Sequence, residues 1–132
     1  MLKILQKTLS EDKIAVMSSA TQYGRACLEL GDGQGRINTG HYGYSSGAKT
    51  RILARYVGGC GAGRCYCAIQ PDGQVTPCVF LPITIGDIRQ DDFSEMWLNH
   101  PLLKLLRDRE DRSGHCKTCD YKYYCGGCRA RS

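Results

Sequence analysis

Cysteine spacing is the feature that most constrains what this chain can fold into. The 132 residues contain nine cysteines, and eight of them form two groups of four on either side of a stretch with helical patterning. The groups are Cys60, Cys65, Cys67 and Cys78, followed by Cys116, Cys119, Cys125 and Cys128. Cys27 stands apart from both groups. Such a density of thiols indicates disulfides, zinc sites or iron–sulfur clusters.

The N-terminal sequence favours bound metal over disulfides. Charged residues interrupt the segment MLKILQKTLSEDKIAVMSS, so it lacks the apolar centre of a secretory signal. No apolar run in the chain is long enough to span a bilayer. We therefore expect a cytoplasmic protein with no membrane association. Clustered cysteines in that compartment more often bind metal than form disulfides.

The positive net charge is weak support for a nucleic-acid partner. The formal charge of +5 assumes neutral thiols. Eight thiolates around two oxidised four-iron clusters would contribute about −4 and nearly cancel it. In the stretch RDRED, residues 107–111, acids alternate with arginines, which predicts a solvated helix end. Nucleic acid is therefore not the expected partner, although a zinc-stabilised module that recognises protein or nucleic acid is the alternative.

Spacing within the second cysteine group favours iron–sulfur over zinc. Cys116 with Cys119, and Cys125 with Cys128, form two C-x2-C pairs. Such a pair lets two thiolates reach one metal centre while backbone amides turn toward the sulfurs. Zinc ribbons separate their two pairs by about a dozen residues or more, whereas five residues lie between Cys119 and Cys125. Both metals remain open on the residues alone.

Hydrophobic patterning in the first third of the chain predicts helix, strand and then a long loop. A short amphipathic helix is expected up to Ser10, followed by an apolar strand over 13–19 and a helix over 23–30. The glycine-rich polar segment 31–47 predicts a loop or linker.

The remainder predicts a small α+β domain. Residues 66–80 read as a hairpin that turns at PDG, residues 71–73, so its closure brings Cys67 and Cys78 toward each other. Asp91 or Asp92 can cap a following helix, and Asn99 with Pro101 marks the start of another. The fold expected is a cysteine-rich metal-cluster domain with a hairpin, then helices, then a C-terminal cysteine-rich loop.

Three stretches together resemble the SPASM domain, the auxiliary-cluster module of many radical SAM enzymes. They are GCGAGRCYCAIQPDGQVTPCVFLPITIGDI, FSEMW and CKTCDYKYYCGGCRA. The family places a cysteine nine to fifteen residues before G-x4-C. Twelve residues separate Cys60 from Gly73, and Gly73 with Cys78 forms the G-x4-C. The family's next element begins C-x2-C-x5-C, which Cys116, Cys119 and Cys125 reproduce.

The style of VTPCVFLP and CGGCRA is similar to the haem-biosynthetic and peptide-modifying branch of that family. The stretch AVMSSATQYGR resembles the end of the catalytic barrel that precedes SPASM in those enzymes. The resemblance implies a domain boundary, with 1–56 as the end of a barrel plus a linker and 57–132 as the SPASM-like domain.

Three departures from the family pattern matter. Two residues separate Cys125 from Cys128 where three are usual, and the last cysteine of the pattern does not follow Cys128. No C-x3-C-x2-C occurs in the sequence, so the motif for the S-adenosylmethionine-cleaving cluster is lacking. The expectation is a fragment or detached module that is not catalytic alone. S-adenosylmethionine would then be bound only by a separate N-terminal domain.

The resemblance also implies two [4Fe–4S] ligand sets. Cys60, Cys78, Cys128 and one of Cys67 or Cys65 would hold the first cluster, and Cys67 is preferred because it lies on the hairpin opposite Cys78. Cys116, Cys119 and Cys125 would hold a second, incomplete cluster. Its fourth position would stay open to an exogenous ligand or recruit Cys27 or His115, or the second cluster would fail to assemble. The implied role is electron transfer and substrate positioning for a radical SAM oxidoreductase, with a ferredoxin or flavodoxin as donor.

Overall fold

The computed structural model describes residues 18–30, 37–39, 42–44 and 58–131, together with Ile4, Lys7, Ile52, Arg55 and Tyr56. Its elements are α1 Gln22–Leu30, β1 Ile37–Thr39, β2 Tyr42–Tyr44, β3 Ala68–Ile69, β4 Gln74–Thr76, β5 Gly86–Asp87, α2 Phe93–Asn99, α3 Pro101–Arg107 and α4 Gly114–Thr118. Short helices with small antiparallel sheets confirm the predicted α+β class. Among these described helices, none has the length and apolar character to cross a bilayer.

The chain divides into two compact units. The first comprises Met1–Cys60 and Thr118–Cys128, and the second comprises Gly61–Lys117 and Arg129–Ser132. The domain boundary expected at 56/57 remains a prediction.

In the first unit, α1 is amphipathic and confirms the helix predicted over 23–30. It buries Tyr23, Gly24, Ala26 and Cys27 on one side. The helix predicted up to Ser10 lies outside the described residues except at Ile4 and Lys7, and the strand predicted over 13–19 lies outside them except at its last two positions.

The first unit also contains a hairpin where a loop was predicted. β1 and β2 pair antiparallel, with Ile37 opposite Tyr44 and Thr39 opposite Tyr42. The loop prediction for 31–47 is therefore wrong at these positions. β-Branched and aromatic residues in the two triplets favour strands, and the abundance of glycine around them hid that short signal.

The second unit is built on a three-stranded sheet in the order β3-β4-β5. β3 and β4 form the predicted hairpin, with Ile69 opposite Val75. The Gly73 N–H donates to the Gln70 carbonyl at 2.9 Å, and Gly73 has a φ of +87°. A type I turn followed by a left-handed glycine suits a three-residue hairpin loop, which confirms the turn predicted at 71–73.

Two capped helices follow the sheet as predicted. The Asp92 carboxylate accepts a hydrogen bond from the Glu95 N–H at 2.7 Å and caps α2. His100 ends α2 and caps α3, since its Nδ1 accepts from the Leu102 N–H at 3.2 Å. Pro101 occupies the first turn of α3, where its missing N–H costs nothing.

The core of the second unit is small. It consists of buried Val75, Ile85, Met96 and Leu103, and the partly buried side chains packed against it are Cys67, Trp97, Leu102 and Leu106. The fully solvated helix end predicted for 107–111 is wrong at Arg107. Its guanidinium lies 4.7 Å from the centre of the Trp97 ring, and its Nε donates to the Gly63 carbonyl at 2.9 Å. Arg107 therefore ties α3 to the cysteine-bearing turn.

Candidate metal centre

All nine cysteines are free thiols. Cys27 and Cys78 are buried, Cys65 is exposed, and the other six are half-buried. Cys27, Cys60, Cys119, Cys125 and Cys128 belong to the first unit, and Cys65, Cys67, Cys78 and Cys116 belong to the second.

Cys78 has the surroundings of a metal-binding thiolate. The Phe80 N–H donates to its Sγ at 3.4 Å, and the Tyr66 hydroxyl lies 3.9 Å from the same sulfur. The Leu81 N–H donates to the Cys78 carbonyl at 3.0 Å and closes a tight turn that aims the Phe80 amide at the sulfur. Hydrogen bonds to sulfur tune the properties of a metal centre that the sulfur binds.

Cys67 lies at the start of the same hairpin. The register places Ala68 opposite Thr76, so Cys67 and Cys78 flank the open end of the paired strands. Burial raises the pKa of the Cys67 thiol. Because metals bind the thiolate form, binding of a metal at Cys67 would have to release this proton. The preference for Cys67 over the exposed Cys65 remains a prediction.

Glycines 61 and 63 shape the turn that carries Cys65. A β-carbon on Gly61 would lie 2.7 Å from the Tyr66 ring, and one on Gly63 would lie 2.7 Å from the Leu103 side chain. Gly63 also has a φ of +64°, and its N–H donates to the carbonyls of Tyr66 and Pro77, each at 3.0 Å. Close packing against Tyr66 and Leu103 therefore explains why this turn needs glycine.

The second cysteine group, residues 116–128, lies on the short helix α4 and the consecutive turns that follow it. Cys116 lies on α4, and the Lys122 N–H donates to the Cys119 carbonyl at 3.0 Å. The Cys125 N–H donates to the Tyr121 carbonyl at 2.8 Å. Gly126 and Gly127 follow with φ values of +67° and +68°. Two successive left-handed residues require the glycines of CGGC, because other residues pay a steric penalty there.

Two further segments of the first unit lie against these turns. The position of a β-carbon on Gly59, the neighbour of Cys60, is 3.5 Å from the Cys125 carbonyl oxygen. From α1, the Arg25 guanidinium lies 5.5 Å from the centre of the Tyr121 ring. Arg55 and Lys122 lie 5.2 Å and 5.0 Å from the Tyr123 ring centre. Tyr121 and Tyr123, which lie between Cys119 and Cys125, therefore make cation–π contacts with three basic side chains.

Sequence reasoning did not single out Arg25 or Tyr23, both of which lie on α1. Tyr23 is fully buried beside Cys27, and its pKa is raised to about 12 by burial first and then by the charge and hydrogen bonding of Cys27. The i, i+4 spacing of Tyr23 and Cys27 on an amphipathic helix was the available signal, since it places both side chains on one face.

The predicted ligand sets are not drawn together in this structure. Among the described residues, no three Cys, His, Asp or Glu side chains are grouped closely enough to hold a metal ion. The chemistry of the donors nevertheless fits a thiolate-ligated centre, because eight thiols and an amide-to-sulfur hydrogen bond match what soft metals and iron–sulfur clusters require. The assignment of individual cysteines, and of Cys27 or His115 as a replacement ligand, stays a prediction.

Comparison with known proteins indicates which kind of metal centre the cysteines of this region bind. Residues 60–120 match the family model of SPASM, an iron–sulfur cluster-binding domain. The chain contains a SPASM domain. The matched region is thus an iron–sulfur cluster-binding module, and the predicted resemblance is confirmed. Cys125 and Cys128 lie beyond the matched residues.

Relatives of the SPASM-containing chain are AdoMet-dependent enzymes and maturation proteins. An AdoMet-dependent heme synthase of Methanosarcina barkeri is 39% identical over 90 residues, which cover 68% of this chain and 26% of that protein. Mycofactocin maturase MftC of Mycobacterium ulcerans is 38% identical over 54% of this chain and 20% of its own length. Subtilosin biosynthesis protein AlbA of Bacillus subtilis is 39% identical over 52% of this chain and 16% of its own length.

The chain spans about a quarter or less of the curated relatives it matches. The relatives thus include a heme synthase, a mycofactocin maturase and a bacteriocin biosynthesis protein. No solved structure matches the chain significantly.

Proposed function

We propose that this chain is the auxiliary [4Fe–4S] module of a radical SAM oxidoreductase, where it transfers electrons and helps to position the substrate. The observation that carries the proposal is the SPASM match over residues 60–120, which contains six of the nine cysteines. Its relatives include an AdoMet-dependent heme synthase and a mycofactocin maturase, so a reaction of that AdoMet-dependent class is the parent activity we infer.

The cysteines have distinct roles in this proposal. Cys60, Cys67, Cys78 and Cys128 would hold the first cluster, with Cys65 as an unligated thiol nearby. Cys116, Cys119 and Cys125 would hold the second, whose fourth ligand is not assigned. A bound four-iron cluster supplies one-electron chemistry.

The rest of the chain would support that chemistry. The Phe80 amide stabilises negative charge on the Cys78 sulfur, and the turn closed by Leu81 keeps that amide in place. The half-buried setting of Cys67 limits the contact of its sulfur with water. Both effects act on the potential of a bound centre, through hydrogen bonding and through desolvation.

The proposed partners supply the functions for which this sequence has no motif. The sequence holds no C-x3-C-x2-C, so S-adenosylmethionine cleavage would belong to a radical SAM catalytic domain in the parent protein. The electron donor would be a ferredoxin or flavodoxin. A cytoplasmic location suits nine free thiols, which an oxidising compartment would convert to disulfides.

Anaerobic purification followed by metal and sulfide analysis tests the proposal. A brown protein with iron and acid-labile sulfide in comparable amounts is the expected result, because cubane clusters contain both. A colourless protein with stoichiometric zinc and no sulfide would contradict it and support a structural zinc module for protein or nucleic-acid recognition. Neither iron nor zinc after cluster reconstitution would contradict both functions.

A further inference from the structure

A groove of about 400 Å³ lies in the second unit, beside the residue that precedes β5 and along α2 to the start of α3. Ile85 and Met96, each 6% exposed, and Pro101 form its apolar part. No cysteine is among the described residues that line it. The groove is therefore separate from the proposed cluster ligands, and its size lies in the range of about 300–1,000 Å³ that is typical of ligand sites.

Three carboxylates form the polar side of the groove, and each is held in place by one oxygen. Asp91 Oδ2 accepts a hydrogen bond from the Asp87 N–H, and Asp92 Oδ1 accepts one from the Glu95 N–H, both at 2.7 Å. Glu95 Oε2 accepts a hydrogen bond from the Asn99 side-chain amide at 2.7 Å. In the part of the chain that the structure describes, none of the three carboxylates forms an ion pair.

The acidic side of the groove contrasts with the charge of the chain as a whole. The sequence has 18 lysines and arginines against 13 acidic residues. Arg89, the basic residue closest to Asp91 in sequence, binds Asp87 instead, with its Nη2 3.0 Å from that carboxylate. Adjacent carboxylates repel one another, so an added positive charge would relieve that repulsion. The groove is thus complementary to a positively charged occupant.

Apolar residues beside the carboxylates restrict what kind of cation fits. A bare metal ion or ammonium ion would contact only the carboxylates and leave Met96 and Pro101 uncovered. Arginine and lysine side chains combine an aliphatic stem with a charged end, so they can contact both parts of the groove. An arginine also donates charge-assisted hydrogen bonds that match carboxylate geometry.

We propose that this groove binds a basic segment of a partner polypeptide, through an arginine or lysine that lies next to an apolar residue. The charged end contacts Asp91, Asp92 and Glu95, and the apolar neighbour covers Met96 and Pro101. Because the three carboxylates are exposed, each ion pair is weak and is screened by salt. The inference goes beyond the proposed function and does not require a bound cluster.

Titration of the isotope-labelled full chain with short peptides tests the proposal. The probe is N-acetyl-leucyl-arginine amide. Its citrulline analogue has nearly the same shape without the charge, and N-acetyl-seryl-arginine amide keeps the charge without the apolar side chain. Backbone amide shifts over 85–100, recorded by nuclear magnetic resonance at low and high salt, report binding in the groove.

Two triple variants separate the groove from the general charge of the chain. The groove variant removes three negative charges and keeps an oxygen for each existing hydrogen bond; it combines Asp91→Asn, Asp92→Asn and Glu95→Gln. The matched control removes three exposed charges of the same unit that do not line the groove; it combines Asp72→Asn, Asp108→Asn and Asp111→Asn. Thermal unfolding of both variants checks that they fold.

The leucyl-arginine peptide should shift amides over 85–100 and bind at least about fivefold more tightly than either analogue, since each analogue lacks one of two contributions. The groove variant should lose about the same factor, and the control variant should stay within about twofold of the parent. High salt should weaken binding of the leucyl-arginine peptide more than binding of the citrulline analogue.

Several results would overturn the inference. Equal binding of the arginine and citrulline peptides, unchanged affinity in the groove variant, or shifts confined to other residues would each refute it. Magnesium chloride that reproduces the peptide's shifts would show a plain cation site. Concentration-dependent shifts over 85–100 without peptide would make a second copy of this chain the occupant. Should the groove variant fail to fold, the two peptide analogues on the parent chain still decide, and iron and sulfide analysis tests the proposed function independently.

Discussion

At the scale of single residues, the two buried cysteines have opposite chemistry. Cys78 is 7% exposed and its sulfur accepts a hydrogen bond from the Phe80 N–H. Cys27 is fully buried on α1 beside the Tyr23 side chain. We therefore expect Cys27 to pack as a small side chain and not to hold iron. Burial alone therefore does not identify a cysteine as a metal ligand, whereas a backbone amide that donates a hydrogen bond to the sulfur supports that role.

The first prediction contrasts these two residues. Cys78→Ala should abolish one of the proposed clusters, and Cys27→Ala should leave iron content unchanged. Iron and acid-labile sulfide per chain, measured after identical anaerobic reconstitution, check both. Full cluster loading in Cys78→Ala would refute its assignment as a ligand, and loss of iron in Cys27→Ala would make Cys27 the replacement ligand of the second site.

The second prediction concerns Tyr23, whose pKa is raised from 10.0 to about 12. A raised pKa means that folding favours the protonated phenol, so this stabilisation is complete below pH 10 and is lost as the pH rises through about 12. Tyr23→Phe cannot ionise and should lose less stability over that interval. Urea unfolding of both proteins from pH 9 upward measures the difference, and parallel stability curves would contradict the prediction.

At the scale of elements, turns and helix starts could be predicted from neighbouring residues, whereas the three-residue strands β1 and β2 could not. The hairpin of β3 and β4 was predictable because Pro71, Asp72 and Gly73 specify the turn locally. The Asp92 cap and Pro101 marked the helix starts equally well. The β1–β2 hairpin escaped prediction because three-residue strands offer almost no periodicity. Arg107 was misjudged because only the folded chain brings Trp97 and Gly63 to it.

The third prediction tests the hairpin turn. Gly73 has a φ of +87°, and a β-carbon there would clash with the Arg89 guanidinium. Gly73→Ala should therefore cost about 1–2 kcal/mol of unfolding free energy for the left-handed backbone, plus the displacement of Arg89. Gly114→Ala is the matched control, because Gly114 has a φ of +56° with open space around its β-carbon position. Chemical denaturation should rank Gly73→Ala as the more damaging change, and equal losses would exclude a contribution from Arg89.

The fourth prediction separates the two sides of α3. Leu103 is fully buried in the core, while Leu105 on the same helix is 52% exposed. Leu103→Ala should lower the free energy of unfolding by about 2–5 kcal/mol, because it removes buried methyl groups and leaves a cavity. Leu105→Ala should change it by no more than about 0.5 kcal/mol. Thermal or urea unfolding measures both, and similar losses at the two positions would contradict the described core.

At the scale of the whole molecule, the sequence revealed donor types better than donor geometry. Thiol count and spacing pointed to iron–sulfur binding, and the SPASM match confirms that class. Sequence predicts less well which cysteine sulfurs lie close together, because that depends on contacts between residues far apart in the sequence. In the described part of the chain the hairpin brings Cys67 and Cys78 to one end, yet no three possible ligands form a group. Metal itself supplies the energy that such convergence requires.

The last prediction follows from that coupling between metal and folding. The apolar core of the second unit comprises four buried side chains, and the cysteine turns of the first unit are closed by backbone hydrogen bonds and include two successive left-handed glycines. Removing iron with a chelator under anaerobic conditions should therefore lower the melting temperature and the amide-exchange protection over 116–128. The hairpin turn at Gln70–Gly73, which is closed by its own hydrogen bond, is the internal control and should change less. Equal protection over 116–128 in the loaded and stripped proteins would show that the polypeptide alone orders these turns, and would refute the coupling.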